Sequence, residues 1–101
     1  MLKQPKSEDQ IPESSAVQAH LDMLVAEKNH LDGKRGEGHN IASGIGKDFS
    51  DERRKVLAMQ LEAMDTYSRC LDYWIVETGN ILQEVTEREQ EEAAENEAGV
   101  A

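Results

Sequence analysis

With 101 residues and a formal net charge of −10, the chain has room for one small domain and repels long polyanions such as a DNA or RNA duplex. Leu, Ile, Val and Phe together number 20, and aromatic residues make up 4%. That is close to the composition at which chains stay unfolded, so self-association is expected to complete the core. The single cysteine excludes an internal disulfide. The chain shows neither an apolar run of about 18 residues nor a basic-then-apolar leader, so a soluble, cytoplasmic protein without a membrane partner is expected.

Residues 1–15, with Pro5 and Pro12, read as a flexible N-terminal extension. Ser15 stands three residues before Gln18 in the spacing of a capping box. From there Val17, Leu21, Leu24, Val25 and Leu31 follow a helical period, predicting a first helix up to about Asp32. Five of the seven glycines fall between Gly33 and Gly46, and each costs a helix interior about 1 kcal/mol relative to Ala. This stretch reads as a loop or a broken helix, although Ile41, Ile45 and Phe49 keep a four-residue spacing that allows a short turn around Ile41–Ile45. Ser50 before Asp51 and Glu52 opens a second helix with a hydroxyl cap and acids at the positive end of its dipole. Its stripe is Leu57, Leu61, Met64, Leu71 and Ile75, with Ser68 at the remaining seam position. Val56, Tyr67, Trp74 and Val76 widen it. Gly79–Asn80 could cap the helix, or Ile81, Leu82 and Val85 could extend it. Residues 86–101 hold six glutamates against Arg88 and read as an acidic, disordered tail.

The expected fold is therefore all-α: residues 16–85 form an antiparallel helical hairpin. Its stripe is too wide for one partner helix, which points to a symmetric homo-oligomer. Half the net charge lies in the tail, whereas residues 28–55 hold seven bases against five acids. A local basic zone in an acidic protein suits a small anion, or its bases pair with neighbouring acids on a solvated face.

Known catalytic patterns fail. Gly46–Lys47 is followed by Asp48 rather than Ser or Thr, and Ile41 stands where a phosphate loop needs Gly. His20, His30 and His39 are about ten residues apart, without the spacing that puts two metal ligands on one helix face. Cys70 borders the apolar stripe and reads as a small packing residue. No catalytic group, metal or cofactor is expected, which leaves binding. His20 could supply a flat ring and Lys34 with Arg35 a charged clamp. Fifteen residues of one helix span about 22 Å, so these groups would meet on one ligand only if a second copy brought its Arg35 to the first copy's His20. On spacing alone His20 reads first as an ordinary residue beside the stripe.

Two stretches carry a resemblance. One is Glu27, Leu31 and a base at Lys34 or Arg35. The other is Leu57-x-x-Gln60-Leu61-x-x-Met64-x-x-Tyr67-x-x-x-Leu71. Together, across residues 17–76, they resemble the small phage proteins that act as cyclic-oligonucleotide sponges against the bacterial CBASS defence. The resemblance implies a helical hairpin assembled into a homohexamer. It also implies sequestration, without cleavage, of cyclic dinucleotides between protomers, in some members with cyclic trinucleotides at separate sites. An early aromatic residue and a base about fifteen positions on hold the dinucleotide in that family. Here those roles would fall to His20 and to Arg35, with Lys34 as the near alternative. The chain departs from the family pattern in having His20 where tyrosine is usual, Tyr73–Trp74 where an arginine is usual, and glycines at 33–46. The rival expectation is a small helical oligomer that inhibits a host protein by direct binding.

Overall fold

A computed structural model describes the backbone of residues 12–100 and the side chains of residues 12–97. Two long helices account for nearly all of it. Helix α1 runs Glu13–Ser43, a short 3-10 turn covers Ile45–Asp48, and α2 runs Asp51–Val100. The all-α hairpin expected from the sequence is the fold.

An alternation of three- and four-residue steps runs through the partly or fully buried positions of both helices. In α1 the run is Ser14, Val17 and Leu21, then Leu24, Lys28, Leu31, Arg35, Gly38 and Ala42, with Asp32 half-buried beside it. In α2 the corresponding run is Leu57, Leu61, Met64, Ser68, Leu71 and Ile75, then Thr78, Leu82, Val85 and Glu89. A 3.5-residue repeat is the period of a coiled-coil seam, in which each side chain fits a hole on the facing helix.

The chain divides into two compact units. One comprises Leu24–Ile75 and so includes the hairpin turn; the other joins the residues up to Met23 with those from Val76. In the turn unit the buried apolar side chains are Leu61 and Leu71, with Ser68 buried between them. In the terminal unit Val85 and Thr78 are buried. Such a small apolar core fits the low count of large aliphatic residues.

Four expectations are corrected. Helix α1 does not stop near Asp32 but continues through Gly33, Gly36 and Gly38 to Ser43. Packing explains Gly38: a Cβ there would lie 2.6 Å from Leu61 Cδ2, so this glycine lets the two helices approach. Gly46, inside the 3-10 turn, is more firmly constrained, because its Cβ would lie 2.7 Å from the Ile41 carbonyl oxygen.

The first helix also starts earlier than the Ser15–Gln18 box predicts. Its first turn is satisfied by a tertiary partner instead: Glu89 accepts from the Ser14 backbone N–H at 3.0 Å and from the Ser14 hydroxyl at 2.6 Å. These contacts draw the Ser14 amide, one of the first-turn donors without an intrahelical acceptor, into the fold. Residues 1–11 of the expected extension lie outside the described residues, while 13–15 belong to α1.

Gly79–Asn80 does not end α2, and residues 86–100 are helical rather than a disordered tail. Glu and Ala are strong helix formers. The first part of the segment is also held by Glu89 on Ser14 and by Arg88 on Glu13 at 2.7 Å. Finally, Cys70 is exposed rather than packed in the stripe. The second helix start stands as expected, with the Ser50 hydroxyl accepting from the Arg53 backbone N–H at 3.2 Å.

Candidate functional site

The charged seam comes first, because it contains one of the residues the sequence nominates. In the turn unit, α1 presents Lys28, Asp32 and Arg35 to the Asp65, Ser68 and Asp72 of α2. Lys28 Nζ stands 3.1 Å from both Asp32 and Asp72 and donates to Ser68 Oγ at 3.0 Å. Arg35 donates from Nε to Asp65 at 2.8 Å and from Nη1 to Asp32 at 2.9 Å and Ser68 at 3.4 Å. The buried Ser68 hydroxyl donates in turn to Asp32 at 3.1 Å.

These contacts shift the titration of the groups that make them. Hydrogen bonds from Lys28 and then Arg35 hold the Asp32 carboxyl below its ordinary value. Those from Lys28 to Asp32 and Asp72 raise the Lys28 ammonium, and Asp65 followed by Asp32 raises the Arg35 guanidinium. Nearby, the Tyr67 hydroxyl donates to Glu27, whose carboxylate raises the phenol. No buried side-chain nitrogen or oxygen lacks a hydrogen-bond partner among the described residues.

The structure therefore separates the three nominated residues. Arg35 faces the seam, with its charge already matched by two aspartates. An anionic ligand would reach it only by displacing Asp65 or Asp32. Lys34 is exposed on the flank and lines a groove of about 300 Å³ with Glu37, Gly38, Leu57, Gln60 and Met64. His20 is exposed on the part of α1 that belongs to the terminal unit, and its ring makes no hydrogen bond or ion pair among the described residues. His39 Nε2 approaches Asp65 at 4.0 Å. Among the described residues no cluster of three or more His, Cys, Asp or Glu could hold a metal, and no helix is long and apolar enough to cross a membrane.

Sequence reasoning missed Asp65, Ser68 and Asp72 as partners of the α1 charges. A signal was present: Lys28, Asp32 and Arg35 are spaced four and three, and Asp65, Ser68 and Asp72 three and four. Read in reverse, as antiparallel helices require, the two sets pair Lys28 with Asp72 and Arg35 with Asp65.

Two more grooves open at the hairpin turn. One, of about 260 Å³, has Lys47 and Arg54 over a floor that includes Ala42, Gly46, Leu57 and Leu61. Its neighbour, of about 410 Å³, is lined by Phe49, Arg53, Glu52 and Val56 and also reaches Leu57. Lys34, Lys47, Arg53 and Lys55 make no ion pair among the described residues, while Arg54 meets Asp51 at 3.0 Å with both side chains largely in solvent. Unpaired positive charge in this unit thus lies at the turn, on the Lys34 flank and at the exposed Arg69, which donates to Thr66 at 3.4 Å and makes no ion pair among the described residues.

One family model, Sequestin, matches residues 18–73, more than half of the chain and nearly all of the turn unit. The chain belongs to the Sequestin family. The Sequestin name points to a protein that sequesters something. The match includes His20, Lys34, Arg35 and the whole hairpin turn, and it ends before the glutamate-rich segment of α2. Searches of curated proteins and of solved structures return no match.

Proposed function

We propose that this member of the Sequestin family sequesters cyclic di- or trinucleotide immune messengers without cleaving them. By lowering the free messenger it would keep CBASS effectors inactive, as a phage counter-defence protein acting in the host cytoplasm. The observation that carries the reading is the unpaired basic charge beside apolar grooves in the family-matched unit of an otherwise acidic chain. A small phosphodiester needs positive groups for its phosphates and apolar or flat surface for its bases, and a chain of net charge −10 disfavours a longer polyanion.

Sequestration also requires capacity rather than turnover, so a binding site without a nucleophile or a general base suffices. The assembly in this reading is a symmetric homo-oligomer, a hexamer by the resemblance. His20 of one copy and Lys34 or Arg35 of another would share a ligand. Lys34 is the readier phosphate contact, since Arg35 is engaged by Asp65 and Asp32.

Isothermal titration calorimetry against a panel of cyclic di- and trinucleotides tests the proposal. Saturable binding with intact ligand recovered after denaturing the protein is the expected result. Linear products would make the protein an enzyme, and failure to bind any member of the panel would remove the proposal.

A further inference from the structure

In the turn unit the seam bases are matched by aspartates, whereas at the turn Lys47 and Arg53 make no ion pair among the described residues and Arg54 meets the exposed Asp51. Lys28 and Arg35 are held by three aspartates. The groove over Gly46 has the opposite character: its lining contains two bases, Lys47 and Arg54, and no acid. Its floor is built from the apolar Ala42, Leu57, Ala58 and Leu61. That floor cannot readily be filled from within, because a side chain at Gly46 would strike the Ile41 carbonyl oxygen.

The groove lined by Phe49 and Arg53 shares Leu57 with it and repeats the combination of apolar surface with a base, here alongside Glu52. At about 260 and 410 Å³ the two grooves lie just below and near the lower end of ligand pockets, which span roughly 300–1,000 Å³. Each therefore suits one nucleotide unit rather than a whole dinucleotide, and both border Leu57.

Resting on the sequestration reading, we infer that the hairpin turn is a nucleotide subsite. Lys47 and Arg54 hold a phosphodiester over the Gly46 groove, and the attached base lies on the apolar floor. The Asp51–Arg54 pair does not stand in the way. Its side chains are largely exposed, and ion pairs of that kind contribute little, so a phosphate can replace the carboxylate.

The test is calorimetric titration of the full chain and its variants with cyclic di-AMP, cyclic di-GMP and cyclic GMP–AMP, with helicity checked by circular dichroism. Lys47→Ala and Arg54→Ala each remove a charged hydrogen bond to the phosphate and should weaken binding about tenfold. Arg54→Lys should keep most of the affinity. Lys55→Ala is the control: it removes the same charge from the same segment, but Lys55 lines neither groove. It should change affinity by no more than about twofold. Equal effects of Lys47→Ala, Arg54→Ala and Lys55→Ala, or none from any, would overturn the subsite while leaving sequestration standing. Absence of binding by the unaltered protein would overturn both.

Discussion

Glycine shows how much a residue's meaning depends on what faces it. Gly36 and Gly46 look alike in the sequence, and both break the helical pattern there. In the structure Gly36 has nothing within 4 Å of a would-be Cβ, whereas at Gly46 a backbone carbonyl oxygen lies at 2.7 Å. Alanine at an open helical position removes unfolded-state freedom and favours the helix by about 0.5–1 kcal/mol. Gly36→Ala should therefore raise the midpoint of thermal unfolding by a few degrees. Gly46→Ala should lower it, at a cost of about 1–3 kcal/mol, because a backbone oxygen cannot rotate away as a side chain does. Circular dichroism melts of the two variants check both signs. Arg35 makes the same point for charge. Its position in the sequence nominates it as a ligand clamp, but two aspartates use its donors.

At the level of helices, the charged seam and the Glu89 contact make stability depend on pH. Asp32 titrates below its ordinary value of 3.8, chiefly because Lys28 and then Arg35 donate to it. Glu89 titrates below 4.5, chiefly because the Ser14 hydroxyl and amide do. A carboxyl depressed in the fold contributes stability that is fully present above its unfolded value and is lost as pH falls through the folded one. The melting midpoint should thus hold steady down to about pH 5 and fall below about pH 4. Asp32→Asn and Glu89→Gln should each flatten part of that acid limb while lowering the midpoint at pH 7. Lys28, raised by Asp32 and Asp72, adds an alkaline limb above its ordinary 10.5.

The two helices themselves were legible because Leu57, Leu61, Met64 and Leu71 carry the seam period in plain apolar residues. The extent of α1 was not, since α1 crosses its glycines by pairing Gly38 with Leu61, a contact 23 residues away in the chain. The helical glutamate-rich segment was hidden for a similar reason. Its composition reads as solvated, but Arg88 and Glu89 find their partners at Glu13 and Ser14. Of the two nominated bases, Arg35 turned out to be held by Asp32 three residues before it and by Asp65 on the other helix, a partner that local spacing does not reveal.

For the whole molecule, apolar surface remains after both helices have packed. Met23, Met59, Tyr73, Trp74 and Val76 are all more than half exposed, and Tyr73 and Trp74 stack edge to face at 5.0 Å. Large exposed apolar groups on a chain with so small a core are expected to be covered by further copies. Sedimentation equilibrium should give a mass above the monomer, and the melting midpoint should rise with protein concentration. A monomer at all concentrations would remove the shared-ligand geometry proposed for His20. The charged seam also bears on which hairpin forms. Two heptad stripes can slide by seven residues and still present apolar faces to each other, so grease alone leaves several alignments close in energy. Sliding this pair would part Lys28 and Arg35 from Asp72 and Asp65 and leave Asp32 as their shared counterion, and a half-buried charge short of its partners is costly. The least oily layer of the hairpin is thus its vernier mark, the place where each helix reads off its position on the other.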